Sequence, residues 1–196
     1  MEEGTVPASA VAVMRKERIG WILSLFLLTV ATTVVAGAFQ AGGDPLSRPA
    51  DIIKGFPFSF TLLLILLSHE MGHYIASRIH GVDASLPYFI PAPPNFFMIG
   101  TFGAFIRIRS PVLYKNALFD IAVSGPIAGF LVSCGALLIG LPLSDVTQGR
   151  SVLGAQTVEI GSSPIFYLFV NQLIGSLPQD YVIGFHPVAF TGWLGL

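Results

Sequence analysis

His69, Glu70 and His73 stand in the order H-E-x-x-H, a set of residue types and spacings suited to hydrolytic chemistry. On a helix, positions i and i+4 lie on one face a turn apart. Two imidazoles can therefore grip one Zn²⁺ while the carboxylate between them reaches the attacking water. Zinc lowers the pKa of water towards about 7 and polarises a carbonyl as a Lewis acid; Glu70 can take the water's proton and pass it to the leaving amine. Peptide hydrolysis needs both acts. The predicted metal ligands are thus His69 and His73, the predicted catalytic group is Glu70, and the predicted cofactor is Zn²⁺. His80 follows His73 by seven residues and sits near the same face. Two helical turns span about 10 Å, too far to share one ion, so His80 reads as a residue of the membrane interface.

The element that positions this motif is itself unusual. Phe58 to Leu67 is uncharged, mostly apolar sequence running directly into Ser68 and the motif, and a helix continued to about His80 makes a membrane span with ionisable groups inside it. Polar groups at that depth are costly and mark function. Another span precedes it: Ile19 to Phe39 carries no charge, and about 20 apolar residues cross roughly 30 Å of hydrocarbon. Ala36, Gly37 and Ala38 could pass for a signal-peptide cleavage site, but the apolar run exceeds the 7 to 15 residues of a signal core, which favours a retained anchor. A third span is expected over Asn116 to Leu141, apolar apart from Asp120. Its Gly125 and Gly129, four apart, let backbones approach and predict tight packing on the motif helix, with Pro126 a candidate kink.

Between the second and third spans the chain changes character. Pro87, Pro91, Pro93 and Pro94 exclude a long helix, while Leu86 to Ile90 and Gly100 to Arg109 read as short extended segments around a Pro/Asn turn. Ile106 and Ile108 alternate with Arg107 and Arg109 at the period of two expected of a strand. Residues 142 to 163 read as a polar loop, Pro164 to Ile174 is apolar but too short to span, and His186 to Leu196 opens a further apolar run. The expected fold is mainly α, a multi-span transmembrane helical core with a small β-hairpin or sheet at the membrane edge. Residues 1–18 form a cytoplasmic tail and 19–196 the core.

Composition agrees with a bilayer as solvent. Of 196 residues, 53% are hydrophobic and 11% charged, and mean hydropathy is +0.75, against about 25% charged in soluble domains. A formal net charge of −1 gives no basic face for nucleic acid. Cys134 is the sole cysteine, which excludes an intramolecular disulfide and a Cys-based zinc site. Arg15, Lys16 and Arg18 precede the first span, and Arg78, Arg107, Arg109 and Lys115 lie between the second and third, against Arg48 and Lys54 in the first loop. The positive-inside rule then puts the amino terminus and the hairpin in the cytoplasm.

H-E-M-G-H within a span, G-T-F-G-A-F-I-R-I-R-S-P at 100 to 111, F-D-I-A-V-S-G-P-I-A-G at 119 to 129 and H-P-V-A-F-T-G-W-L-G-L at 186 to 196 together resemble the site-2 protease family. The resemblance implies an intramembrane zinc metalloprotease that cleaves a substrate's membrane-spanning helix, with zinc held by two His and one Asp. His69 and His73 match the His ligands and Glu70 the catalytic base. The family's Asp lies in an N-x-x-P-x-x-x-L-D-G type motif that this sequence lacks, so the third ligand is expected beyond Leu196 and the chain as written is expected to bind zinc poorly and cleave little. Asp83, Asp120 and Asp145 match no ligand position. A helical substrate must unwind before its carbonyl is attacked, exposing amides that hydrocarbon cannot solvate, and Gly100 to Arg109 is the candidate edge strand to pair with them. The same hairpin could instead merely cap the fold.

Two further classes stay open on the residues alone. Intramembrane ionisable groups also occur in transporters, although no internal repeat is visible here. A non-catalytic relative or a haem-binding bundle could use His69, His73, His80 or His186, but haem ligation gives Glu70 no role.

Overall fold

The computed structural model describes residues 19–94, 98–148, 163–175 and 181–196. The 1–18 tail with Arg15, Lys16 and Arg18, the Asn95 turn and most of the 142–163 loop lie outside the described residues.

The three expected spans are helices: α1 (Ile19–Gln40), α2 (Phe56–Ile79) and α3 (Lys115–Gly140). By length and composition all three can cross a membrane, α2 together with the 3₁₀ turn Pro49–Gly55 that leads into it. Within α1 the hydroxyls fold back on the helix, Thr29 Oγ1 donating to the Leu25 carbonyl at 2.8 Å and Thr33 Oγ1 to the Thr29 carbonyl at 2.7 Å. That hides polar groups which lipid cannot solvate. α2 opens with Pro57 in its first turn, where the missing N–H costs nothing. α3 runs through Pro126 without interruption.

Small residues set how closely the helices approach. A Cβ on Gly55 would strike the Val34 carbonyl, and one on Gly37 would come within 2.7 Å of Phe58 Cβ, so α1 and the start of α2 meet almost backbone to backbone. The buried Thr33 and Ser59 hydroxyls join across that contact at 2.7 Å.

Strands β1 (Tyr88–Pro91) and β2 (Thr101–Phe105) pair antiparallel, with Phe89 opposite Ala104 and a register shift after Ile90. The expected hairpin is therefore present. Its Ile106–Arg109 continuation keeps one bridge, Ala84 to Ile108, rather than a full strand. The hairpin runs lengthwise along α1. Phe89 stacks edge-on against Phe26 with centroids 5.1 Å apart, a Cβ on Gly100 would stand 2.5 Å from the Thr32 carbonyl, and Gln40 Nε2 donates to the Met98 carbonyl at 2.7 Å. Phe26 and Gln40 lie fourteen residues apart on α1, roughly 21 Å of helix. Extended backbone thus travels through the depth the helices occupy, a placement tolerated only where protein or a cavity shields its amides.

Beyond α3 come β3 (Asp145–Gln148), α4 (Pro164–Leu173), β4 (Tyr181–Gly184) and α5 (Pro187–Leu194). Ser163 caps α4 through the Phe166 N–H at 3.2 Å, and His186 caps α5 through the Val188 N–H at 3.3 Å. β3 and β4 pair antiparallel, and Leu137, Leu141, Phe166, Val170 and Ala189 form the apolar cluster that docks α4 and α5 on α3.

Candidate active site

α2 and α3 pack face to face, and the motif lies at their contact. Ring nitrogen Nε2 of His69 stands 3.1 Å from Nε2 of His73, which confirms that the i, i+4 spacing converges the two imidazoles on one point. Two nitrogens bound to one tetrahedral Zn²⁺ at 2.0–2.1 Å would be about 3.3 Å apart, so the pair fits such an ion with almost no movement.

The proton arrangement is equally suitable. His73 Nδ1 lies 2.6 Å from the Ile121 carbonyl of α3. A carbonyl only accepts, so Nδ1 carries the hydrogen and the Nε2 lone pair is left for a cation. Neutral imidazole nitrogens are the donors zinc prefers among nitrogen ligands. Among the described residues no group of three or more His, Cys, Asp or Glu forms a metal cluster, so the described chain supplies two positions of such a site.

Glycines of α3 make room for both rings. A Cβ on Gly125 would collide with the His73 imidazole, and one on Gly129 would stand 3.1 Å from His69 Nδ1. Gly72, inside the motif, lies equally tight on Ser124, where a Cβ would meet the carbonyl oxygen at 2.5 Å. The glycine pair expected to serve helix packing therefore also seats the imidazoles. Gly125 and Gly129 repeat the four-residue spacing of His69 and His73 in the opposite chain direction, a signal that an antiparallel helix pair could have betrayed. The Ile121 carbonyl has no such signature, since every residue carries one.

Glu70 is 7% exposed, and the backbone N–H of Ile106, just past β2, is directed at its carboxylate. A cavity of about 630 Å³ opens beside it, lined by Ile65, His69 and Glu70 of α2, Gly103 and Ala104 of β2, Pro126, Gly129 and Phe130 of α3, and Gly195 and Leu196. The structure thus brings His69, Glu70, His73 and the predicted edge strand to one place. His80 stands apart, its Nε2 2.8 Å from Asp120 Oδ2.

Residues 57–192 match the sequence profile of peptidase family M50. The chain is 35% identical over 204 residues to the probable zinc metalloprotease EGY1, chloroplastic, of Oryza sativa subsp. japonica, covering 89% of this chain and 33% of that protein. It is 28% identical to its Arabidopsis thaliana counterpart, over 89% of this chain and 35% of the relative. The probable zinc metalloprotease EGY2, chloroplastic, of Oryza sativa subsp. indica is 40% identical over 65% of this chain and 23% of its own length. The chain spans about a third or less of the curated relatives it matches. No solved structure matches it. The profile covers most of the chain and embraces the motif helix, the hairpin and α3, and on that ground the chain belongs to peptidase family M50, the site-2 proteases.

Proposed function

We propose that this chain carries the membrane-embedded core of a zinc endopeptidase that hydrolyses peptide bonds within transmembrane segments of other proteins. The observation that carries the reading is the convergence of His69 and His73 Nε2 to 3.1 Å, with buried Glu70 beside them, on a helix able to cross a membrane. The names of the relatives, probable zinc metalloproteases, agree with it.

His69 and His73 are the proposed ligands of Zn²⁺, with the Ile121 carbonyl fixing the His73 ring so that Nε2 faces the ion. Zinc held there would supply a Lewis acid for the scissile carbonyl and ease deprotonation of water near neutral pH. Glu70 accepts the proton of the attacking water on a carboxylate oxygen and returns it to the amine that leaves. β2 has the place for a second task, since Gly103 and Ala104 border the cavity that holds Glu70. An unwound substrate segment lying there finds backbone to pair with in place of water. In this reading the amino terminus and the α2–β1 turn face the cytoplasm, because the Lys and Arg residues gather there.

Glu70→Gln in the whole protein, reconstituted with a substrate carrying a transmembrane segment, tests the assignment. Cleavage falls by about 10²- to 10⁴-fold, the range for a lost general base, while bound zinc stays at the wild-type level. Cleavage at the wild-type rate would remove Glu70 from the chemistry.

A further inference from the structure

Seven residues beyond His73, at the end of α2, His80 Nε2 meets Asp120 Oδ2 of α3 at 2.8 Å. The next residue in the chain is Ile121, whose carbonyl takes the His73 Nδ1–H at 2.6 Å. We infer that the His80–Asp120 pair is a positioning clasp: it fixes α3 along α2 so that the Ile121 carbonyl stays on His73 and holds that imidazole in its metal-facing orientation. The inference rests on the proposed role of His73 as a ligand.

The physical need for such a tie lies in the character of the interface. At the motif, α2 and α3 touch through Gly72 on one side and Ser124 and Gly125 on the other. Glycine surfaces let backbones come close but offer no knob to stop one helix sliding past its neighbour. Ile121 buries its side chain with Ala76 and Val82, yet apolar burial has no direction and tolerates a shift along the helix axis. A hydrogen bond does not: it weakens steeply when its geometry is lost. The His80–Asp120 contact is a directional bond across this interface within one residue of the carbonyl that must not move.

The energetic scale is consistent with positioning rather than with holding the fold together. Asp120's side chain is 52% exposed and that of His80 29%, and pairs open to water contribute little to global stability. Its removal should leave the bundle folded and loosen the register locally.

The experiment uses ¹⁵N-histidine-labelled whole protein in detergent or nanodiscs. The chain above contains four histidines, so their ring signals can be assigned by single substitutions. In the wild type the His73 Nδ1 proton is hydrogen-bonded and exchanges slowly. In Asp120→Ala its exchange rises about tenfold, and zinc affinity, read by chelator competition, falls by about tenfold, the low end of what loss of a ligand's hydrogen-bond partner costs. Asp120→Asn keeps an acceptor and restores most of both, which a general loosening would not do. Lys54→Ala breaks an equally short pair, Lys54–Asp51 at 2.8 Å, away from the motif and leaves both readouts unchanged. Wild-type exchange in a folded Asp120→Ala protein overturns the clasp. Should that variant fail to fold, His80→Gln decides the matter by the same His73 signal. Zinc binding by the wild type, lost on His69→Ala, separately reports on the ligand assignment, so the two ideas fail independently.

Discussion

Gly125 has no room for a methyl group, because any Cβ there would occupy the space of the His73 ring. Gly125→Ala must push that ring aside and stretch its bond to the Ile121 carbonyl, so zinc affinity should drop by about 10- to 100-fold. Gly135→Ala on the same helix meets nothing within 4 Å and should leave zinc binding untouched. Chelator competition on the two variants gives the contrast, and equal affinities would show that the glycine seat is incidental. The convergence of the two imidazoles was legible in the sequence because it depends on local spacing, which one helix preserves. What the spacing could not reveal is what surrounds them. The room at Gly125, the Ile121 carbonyl and the Asp120 partner of His80 all come from α3, and they depend on how two helices register against each other rather than on either helix alone.

At the scale of elements, α1 and α2 are joined by a polar link, Thr33 Oγ1 to Ser59 Oγ at 2.7 Å, within a contact of glycines and apolar side chains. Hydrogen bonds between membrane helices average about 0.6 kcal/mol and reach about 1.7. Ser59→Ala should therefore lower stability by that modest amount, whereas Gly55→Val, which drives a branched side chain into the Val34 carbonyl, should separate the helices outright. Unfolding in mixed micelles ranks the two, and a Ser59→Ala loss as large as that of Gly55→Val would contradict the close-approach account. The helices themselves were readable to within a residue or two, since long, mostly apolar runs bounded by Gly, Pro or basic residues leave little freedom in where a span begins. The hairpin was readable from its prolines and alternation. β3 and β4 were not: each has four residues, too few to show a period, and they find each other across a long stretch of chain. The strand expected to reach Arg109 stops at Phe105: next to Tyr88 stands Pro87, which has no N–H to give the ladder, and pairing resumes only at the Ala84–Ile108 bridge, with Ser85 N–H on the Arg107 carbonyl and Arg109 N–H on the Asp83 carbonyl.

Taken as a whole, the molecule is a bundle with one basic end. Arg78 closes α2, Lys115 opens α3, and the Arg107 carbonyl and Arg109 N–H are tied to Ser85 and Asp83 just past α2, so these cations gather at the same level. At the other end Lys54 pairs with Asp51. Lys and Arg counts bias topology, and on that rule the proposed orientation has the basic end in the cytoplasm and the Ser47 loop outside. The hairpin makes a sharper claim than the helices do. Its base is at the basic end, but its Met98 carbonyl is bound by Gln40 at the far end of α1, so the turn should open on the same side as Ser47. Cysteine labelling can read this directly in a Cys134→Ser background, with Ser47→Cys, Met98→Cys and Asn116→Cys, all at exposed positions. A membrane-impermeant maleimide applied to intact cells should modify the first two, and Asn116→Cys should react only after permeabilisation. Inverse labelling of all three would reverse the orientation and leave the architecture standing. Labelling of Met98→Cys together with Asn116→Cys, with Ser47→Cys on the other side, would mean that the hairpin never traverses the apolar layer, and the strand beside Glu70 would then need another explanation.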